Sequence, residues 1–272
     1  MQADGFETRP FPRSRHDVVD ALEVGVRRHV VHAILELDVT AARARLATGG
    51  PGGGKLSFTA FLVASLARAI DADRLLHACR DWRGRLVLFE DVDVVTLVEA
   101  ERGGVAVPHV IRAANRRSAL ALHEELRRVQ AEPRTSAQRS GALARLSRFV
   151  PGVARRAFLR ALRRSPRLMK RSAGTALVTS VGMFGTGGGW AIGIVPLHTL
   201  ALTVGAVAWR PWVVDGRVEP REILPLTLSI DHDVVDGAPA ARFAARLREI
   251  VEEALVLQEP PLPPEQPRGE GE

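Results

Sequence analysis

Cysteine is nearly absent from this 272-residue sequence. Cys79 stands alone, so no disulfide can form within the chain, and a reducing cytoplasm is the expected compartment. Long apolar runs are missing too: none approaches the length of about 20 residues that a bilayer-spanning helix needs. Met1–Pro12 lacks the basic-then-apolar pattern of a secretory signal. What remains is ordinary globular material, 46% hydrophobic and 25% charged, long enough for one large domain with a sizeable core.

Acidic residues are missing from one stretch. Between Ala142 and Arg171 stand ten basic side chains and no acidic one. Without them the net charge of +7 would become −3, so the basicity belongs to a segment and not to the domain. That distribution argues against a nucleic-acid-binding protein. No aromatic residues alternate with the arginines to stack on bases.

The apolar pattern predicts a helix over 16–27 with Val18, Val19, Leu22 and Val26 on one face, and a strand over His29–Asp38. Thr40, Ser57 and Ser118 stand where helix caps are expected, ahead of helices to Leu46, Ala69 and Val129. Pro151 and Pro166 bracket a helix inside the basic stretch. Leu86–Phe89, Val92–Val98, Val105–Ile111, Thr175–Ser180, Leu200–Val207 and Leu224–Ile230 read as strands. An amphipathic helix follows from Gly237 to about Leu255. The glycine-rich Thr48–Lys55 has the Gly…Gly-Lys spacing of a phosphate loop, but Leu56 stands where a magnesium-binding Ser or Thr belongs, so it reads as a turn. Strands and helices mix without strict alternation, which predicts an α+β fold. The expected organisation is a flexible arm over 1–14, one domain over 15–257 and a disordered tail over 258–272.

His232 is the residue with the clearest chemical promise. It ends an apolar strand, Asp231, Asp233 and Asp236 surround it, and Gly237 stands ready for a turn into the last helix. A histidine so placed suits a general base near neutral pH. A structural histidine at a strand end is the commoner case, and residue types alone leave both readings open.

The segment Ser229-Ile230-Asp231-His232-Asp233-Val234-Val235-Asp236-Gly237 resembles the active-site signature of the chloramphenicol acetyltransferase-like superfamily. It is nearest to the catalytic core of dihydrolipoamide acyltransferases of 2-oxoacid dehydrogenase complexes. Gly174–Gly185 resembles that family's second signature, a strand ending in a hydroxyl residue before a glycine-rich turn. Gly103–Ile111 and Asp38-Val39-Thr40 resemble two of its core strands. The resemblance runs from about Arg15 to Glu253.

It implies a two-layer fold, a mixed sheet covered by helices, assembled as a homotrimer with active sites between subunits. It implies an enzyme that moves an acyl group between CoA and a thiol, on a lipoyl group acting in trans or on another carrier. CoA is then a substrate; no permanently bound cofactor or metal is expected. By the resemblance His232 is the base, Thr179 the oxyanion donor, and Asp236 a carboxylate paired with an arginine, for which Arg15 is the candidate. Ser180 is the alternative hydroxyl if the register slips by one, with Gly182 in the same substrate-binding turn. Gly237 supports the site. The expected form is a core without its own lipoyl domain. A trimeric scaffold that recruits a complex without catalysis is the competing reading.

Two departures stand out. Asp233 follows the histidine where the family usually has Arg, which could raise the histidine pKa. Residues 142–171 look like an insertion. Phe158, Ala161 and Leu162 make a short apolar stripe there, which fits a packed surface helix. An acidic carrier domain, the phosphates of CoA and an anionic membrane surface, the last not favoured, are the sharper readings.

Overall fold

The computed structural model describes residues 7–12, 15–26, 28–48, 56–99, 106–131, 150–181, 187–195 and 197–258. The expected arm, the glycine loop from 49 to 55, the first part of the insertion and the tail from 259 fall wholly or partly outside these residues, as does Gly182.

Helix α3, Phe58–Ala72, lies at the centre of the core. The Ser57 hydroxyl accepts the Ala60 N–H at 3.0 Å and caps it as the sequence predicts. Every residue of α3 from Ala60 to Ala67 is buried, so the helix must be covered on all sides. It packs between α4, Ala119–Ala131, and the last helix, α7, Gly237–Glu252. The apolar rows of the sheet cover it from below, with Leu37, Val178, Leu202, Leu224, Leu228 and Ile230 in the same core. Helix α2, Thr40–Thr48, closes one end, buried through Ala42 and Leu46.

Among the described residues the main sheet has seven strands. Six follow the order β1 (Val30–Asp38), β9 (Arg217–Asp231), β7 (Leu200–Val204), β6 (Ala176–Ser180), β4 (Val94–Glu99) and β5 (Ala106–Ile111). The seventh, β8 (Ala208–Val214), pairs with the first half of β9. The ladders β4–β6 and β6–β7 are parallel and the others antiparallel. The expected two-layer α+β fold, a mixed sheet covered by helices, is therefore present. A separate short ladder joins β2, Cys79–Arg80, to β3, Leu86–Val87. No helix among the described residues is long and apolar enough to cross a membrane.

Two differences from expectation have physical causes. The hairpin β8–β9 is not expected from the sequence, since only Leu224–Ile230 reads as strand there; Pro211 and Pro220 interrupt the pattern yet face each other across the ladder. Asp215 and Gly216, at φ 50 and 77, make its two-residue turn. The second difference is in α1, His16–Gly25, where the side chains of Asp20 and Val24 are buried while Val18, Val19 and Val26 are exposed. The insertion causes this reversal. Its helix α5, Gly152–Arg164, packs on α1, with Arg155 and Arg156 donating to the Asp20 carboxylate at 2.6 and 3.0 Å. Burial pushes the Asp20 carboxyl up, but these two hydrogen bonds outweigh it and hold it below the usual range. Leu162 of α5 and Met169 of α6, Pro166–Ala173, join Cys79 and Phe89 in a small second cluster.

Candidate active site

Strand β9 runs antiparallel to β1 and pairs Val30 with Asp231. His232 thus leaves the sheet beside the start of β1, and its backbone N–H donates to the His29 carbonyl at 2.7 Å. The turn that follows is wound on Asp231. Val234 and Val235 both donate to the Asp231 carbonyl, and Asp233 N–H donates to its carboxylate.

The other Asp231 oxygen meets Arg28. Guanidinium and carboxylate lie 3.2 Å apart with side chains only 8% and 5% exposed. Arg28 also donates to the His198 carbonyl, and Asp231 N–H donates to the Thr199 carbonyl at 2.9 Å. Desolvation pulls the Arg28 pKa down from its usual value while the charge of Asp231 opposes the fall. The result is a rigid platform from which the imidazole of His232 projects, with its side chain 42% exposed.

Asp236 occupies the N-cap position of α7 without a side-chain capping bond, and its carboxylate is largely exposed. His232 Nδ1 stands 3.9 Å from it, beyond hydrogen-bond range. The expected partner Arg15 makes no ion pair with it among the described residues. The arginine brace in this region is Arg28 on Asp231, because the β1–β9 register sets Arg28 against the end of β9. Gly237 is in the first turn of α7 without a left-handed φ, and a Cβ there would meet open space. The turn is made by residues 232–234 and does not need glycine at 237.

Asp233 does not face His232. Its carboxylate hydrogen-bonds His29 Nδ1 at 2.8 Å. That bond raises the His29 pKa above its ordinary value and lowers that of Asp233. The charge that replaces the family's usual arginine is engaged with the first residue before β1.

Thr179 and Ser180 end β6 on opposite faces. Ser180 is level with Val204, a core residue beneath the helices. Thr179 is level with Thr203, and Thr203 with Thr227, so a row of threonines crosses three strands on the face away from the core helices. Gly193 covers this row. Its N–H donates to Thr203 Oγ1 at 3.1 Å, and a Cβ at 193 would lie 2.4 Å from that oxygen and 3.4 Å from the Thr179 methyl. Glycine is the only residue that admits so close an approach. The Thr179 hydroxyl has no hydrogen-bond partner among the described residues.

The register keeps Thr179 and His232 apart. Thr227, level with Thr179, precedes His232 by five positions along β9 and is separated from β6 by β7. At roughly 3.3 Å per residue and 4.8 Å per strand, the two residues stand on the order of 20 Å apart. A single chain does not bring them to one substrate.

Residues 154–258 match the family model of the 2-oxoacid dehydrogenases acyltransferase catalytic domain. Over these residues the chain is similar to the acyltransferases of 2-oxoacid dehydrogenase complexes. It is 27% identical over 201 residues to the dihydrolipoyllysine-residue acetyltransferase component of the pyruvate dehydrogenase complex of Zymomonas mobilis, covering 74% of this chain and 38% of that protein. It is 27% identical over 238 residues to the lipoamide acyltransferase component of the branched-chain alpha-keto acid dehydrogenase complex of Pseudomonas putida, covering 85% and 49%. The chain therefore spans less than half the length of these two relatives.

The same fold appears in a probable dihydrolipoamide acetyltransferase of Listeria monocytogenes, at TM-score 0.70 and 21% identity, covering 92% of this chain and 96% of that one. It appears also in the Azotobacter vinelandii dihydrolipoamide acetyltransferase, at TM-score 0.69 and 21% identity, covering 93% and 94%. There a serine, a histidine and an asparagine were investigated for their part in the catalytic mechanism, the last two being four positions apart.

Sequence reasoning missed Arg28 and His29. Their only signal is the basic run Arg27-Arg28-His29 just before a strand, which gains meaning once β1 is known to pair with β9.

Proposed function

We propose that this acyltransferase relative transfers an acyl group between CoA and the thiol of a lipoyl group or another carrier. The observation that carries this reading is the open imidazole of His232 on its braced turn, within this fold. His232 and Asp236 repeat the four-residue spacing of the histidine and asparagine in the Azotobacter protein.

The chemistry follows from the groups present. A free thiol, pKa about 8.5, is mostly protonated at neutral pH and needs a base to attack a thioester quickly. The His232 imidazole accepts the thiol proton as sulfur attacks the acyl carbonyl. The new C–S bond leaves negative charge on the carbonyl oxygen. The Thr179 hydroxyl, without another hydrogen-bond partner among the described residues, donates to that oxyanion. Collapse expels the second thiolate, which recovers the proton from His232. Asp236 stays close enough to steady the charged imidazole.

Because Thr179 and His232 lie far apart in one chain, this mechanism requires a site shared by two copies, and a homotrimer is the proposed assembly. Exposed apolar side chains support association. Ile34, Trp190, Ile192, Ile194, Trp209, Val213 and Val218 are each 46% exposed or more, large apolar side chains that a contact between copies would cover.

Incubation with a panel of acyl-CoA thioesters and dihydrolipoamide, with CoA release followed by chromatography, tests the reading. Turnover with any thioester that depends on His232 supports it. Absence of turnover across the panel sinks it and leaves the scaffold reading.

A further inference from the structure

The insertion has two sides. Helix α5 turns Arg155, Arg156, Leu159, Leu162 and Arg163 inward. Asp20 and Glu23 take up Arg155 and Arg156, and Arg163 donates to the Val24 carbonyl. These arginines hold α5 to the domain.

The outer side is different. Val153, Ala157, Ala161 and Ala154 are exposed, Val153 by 70%, with Phe158 at 36% beside them. Arg160 and Arg164 stand one turn apart on this side, and Arg167 and Arg171 one turn apart on α6. All four are exposed, and none has a carboxylate partner among the described residues. Residues 133–149 bring no acidic side chain either. Four uncompensated cations around a shallow apolar strip form a field that attracts an acidic surface.

This face lies at the His232 end of the sheet. Helix α6 ends at Ala173, whose carbonyl accepts His198 Nε2 at 2.7 Å. The Ala176 end of β6 is level with Leu200 and Ile230. Arg163 reaches Val24, and Arg28, four residues on, braces Asp231.

We infer that the outer face of α5 and α6 docks an acidic protein domain that carries the acyl thiol, and presents that thiol at the edge where His232 stands. The cargo rests on the acyl-transfer reading above; the docking does not. Charge and shape select the occupant. A second copy would set arginines against arginines. The described residues end at Gln258, just past Glu252 and Glu253, which bond to the Asp38 N–H and to Arg45 at the end of β1 away from this face. A membrane surface rewards a broad row of large apolar side chains, but here the leucines turn inward and the outer face offers Val153 and Phe158 among three alanines.

The test compares wild type with Arg160→Gln/Arg164→Gln/Arg167→Gln/Arg171→Gln. Binding of a fluorescently labelled lipoylated domain of strongly negative net charge is read by anisotropy at low and high salt. The variant should bind at least about ten-fold more weakly at low salt and lose most of its salt dependence. Transfer to free dihydrolipoamide should be unchanged. Equal binding by both proteins overturns the inference, whatever the activity. So does sedimentation of wild type, but not of the variant, with phosphatidylglycerol-containing vesicles in place of binding to the domain. Binding without any transfer would uphold the docking face and count against the proposed reaction alone.

Discussion

Replacing Arg28 by methionine should be among the most damaging single changes in the chain. The Arg28–Asp231 pair spans 3.2 Å with side chains 8% and 5% exposed, so little water reaches either charge. The substitution keeps most of the side-chain volume but strands the Asp231 carboxylate with one remaining donor, the Asp233 N–H. It also removes a donor from the His198 carbonyl. Breaking a buried pair from one side typically costs about 3–5 kcal/mol. Urea denaturation followed by tryptophan fluorescence gives the comparison. The double variant Arg28→Met/Asp231→Leu should recover much of the loss, because it removes the stranded charge along with its partner. Where Arg28→Met stays folded, transfer to dihydrolipoamide should also slow, since the turn bearing His232 is wound on Asp231. A loss below about 1 kcal/mol with an unchanged urea slope would refute the reasoning, because water would then have to reach Asp231 freely.

His232→Ala should lower transfer by roughly 10²–10⁴ without unfolding the chain, as circular dichroism beside turnover will show. Thr179→Ala should cost roughly 10²–10³ in turnover and Thr179→Ser little, whereas Ser180→Ala, on the core side of β6, should spare chemistry; the reverse order would move the oxyanion role to Ser180. Burial holds His77 and His198 neutral, each with a pKa of about 4, while an unfolded histidine takes its proton near pH 6.5. The unfolded state then binds more protons between about pH 6.5 and 4, so stability should fall on acidification through that window by about 1.4 kcal/mol per pH unit for each histidine. Urea midpoints against pH measure this, and His198→Met should flatten the slope; identical slopes would contradict it. Light scattering should give three times the 29.5 kDa chain mass, and a monomer would remove the shared site.

Features set by neighbouring residues were legible in the sequence. Ser57 and Ser118 cap their helices as expected, Pro151 and Pro166 bracket α5, and His232 stands just past the end of its strand. Features set by distant pairing were not. Asp20 falls among valines in a helix whose pattern puts the valines inward, and only the arrival of Arg155 and Arg156 from the insertion turns the carboxylate in. The same contact engages Arg155, Arg156 and Arg163, three of the ten basic residues of the segment, a division that a count of arginines cannot reveal. Arg15 is the partner expected for Asp236; the buried arginine pair among the described residues is instead Arg28 on Asp231, which the β1–β9 register brings together. That Thr179 and Ser180 lie on opposite faces of β6 could be read only from the ladder to β7.

The separation of Thr179 from His232 along the sheet has a genetic consequence. If each site takes its base from one copy and its oxyanion donor from the next, a chain lacking His232 and a chain lacking Thr179 are defective for different reasons. Co-expressed in one cell, they would assemble together. About a quarter of the sites in randomly mixed oligomers would then draw both groups from intact positions. Two inactive alleles would make a partly active enzyme, and a cell carrying both would outgrow a cell carrying either.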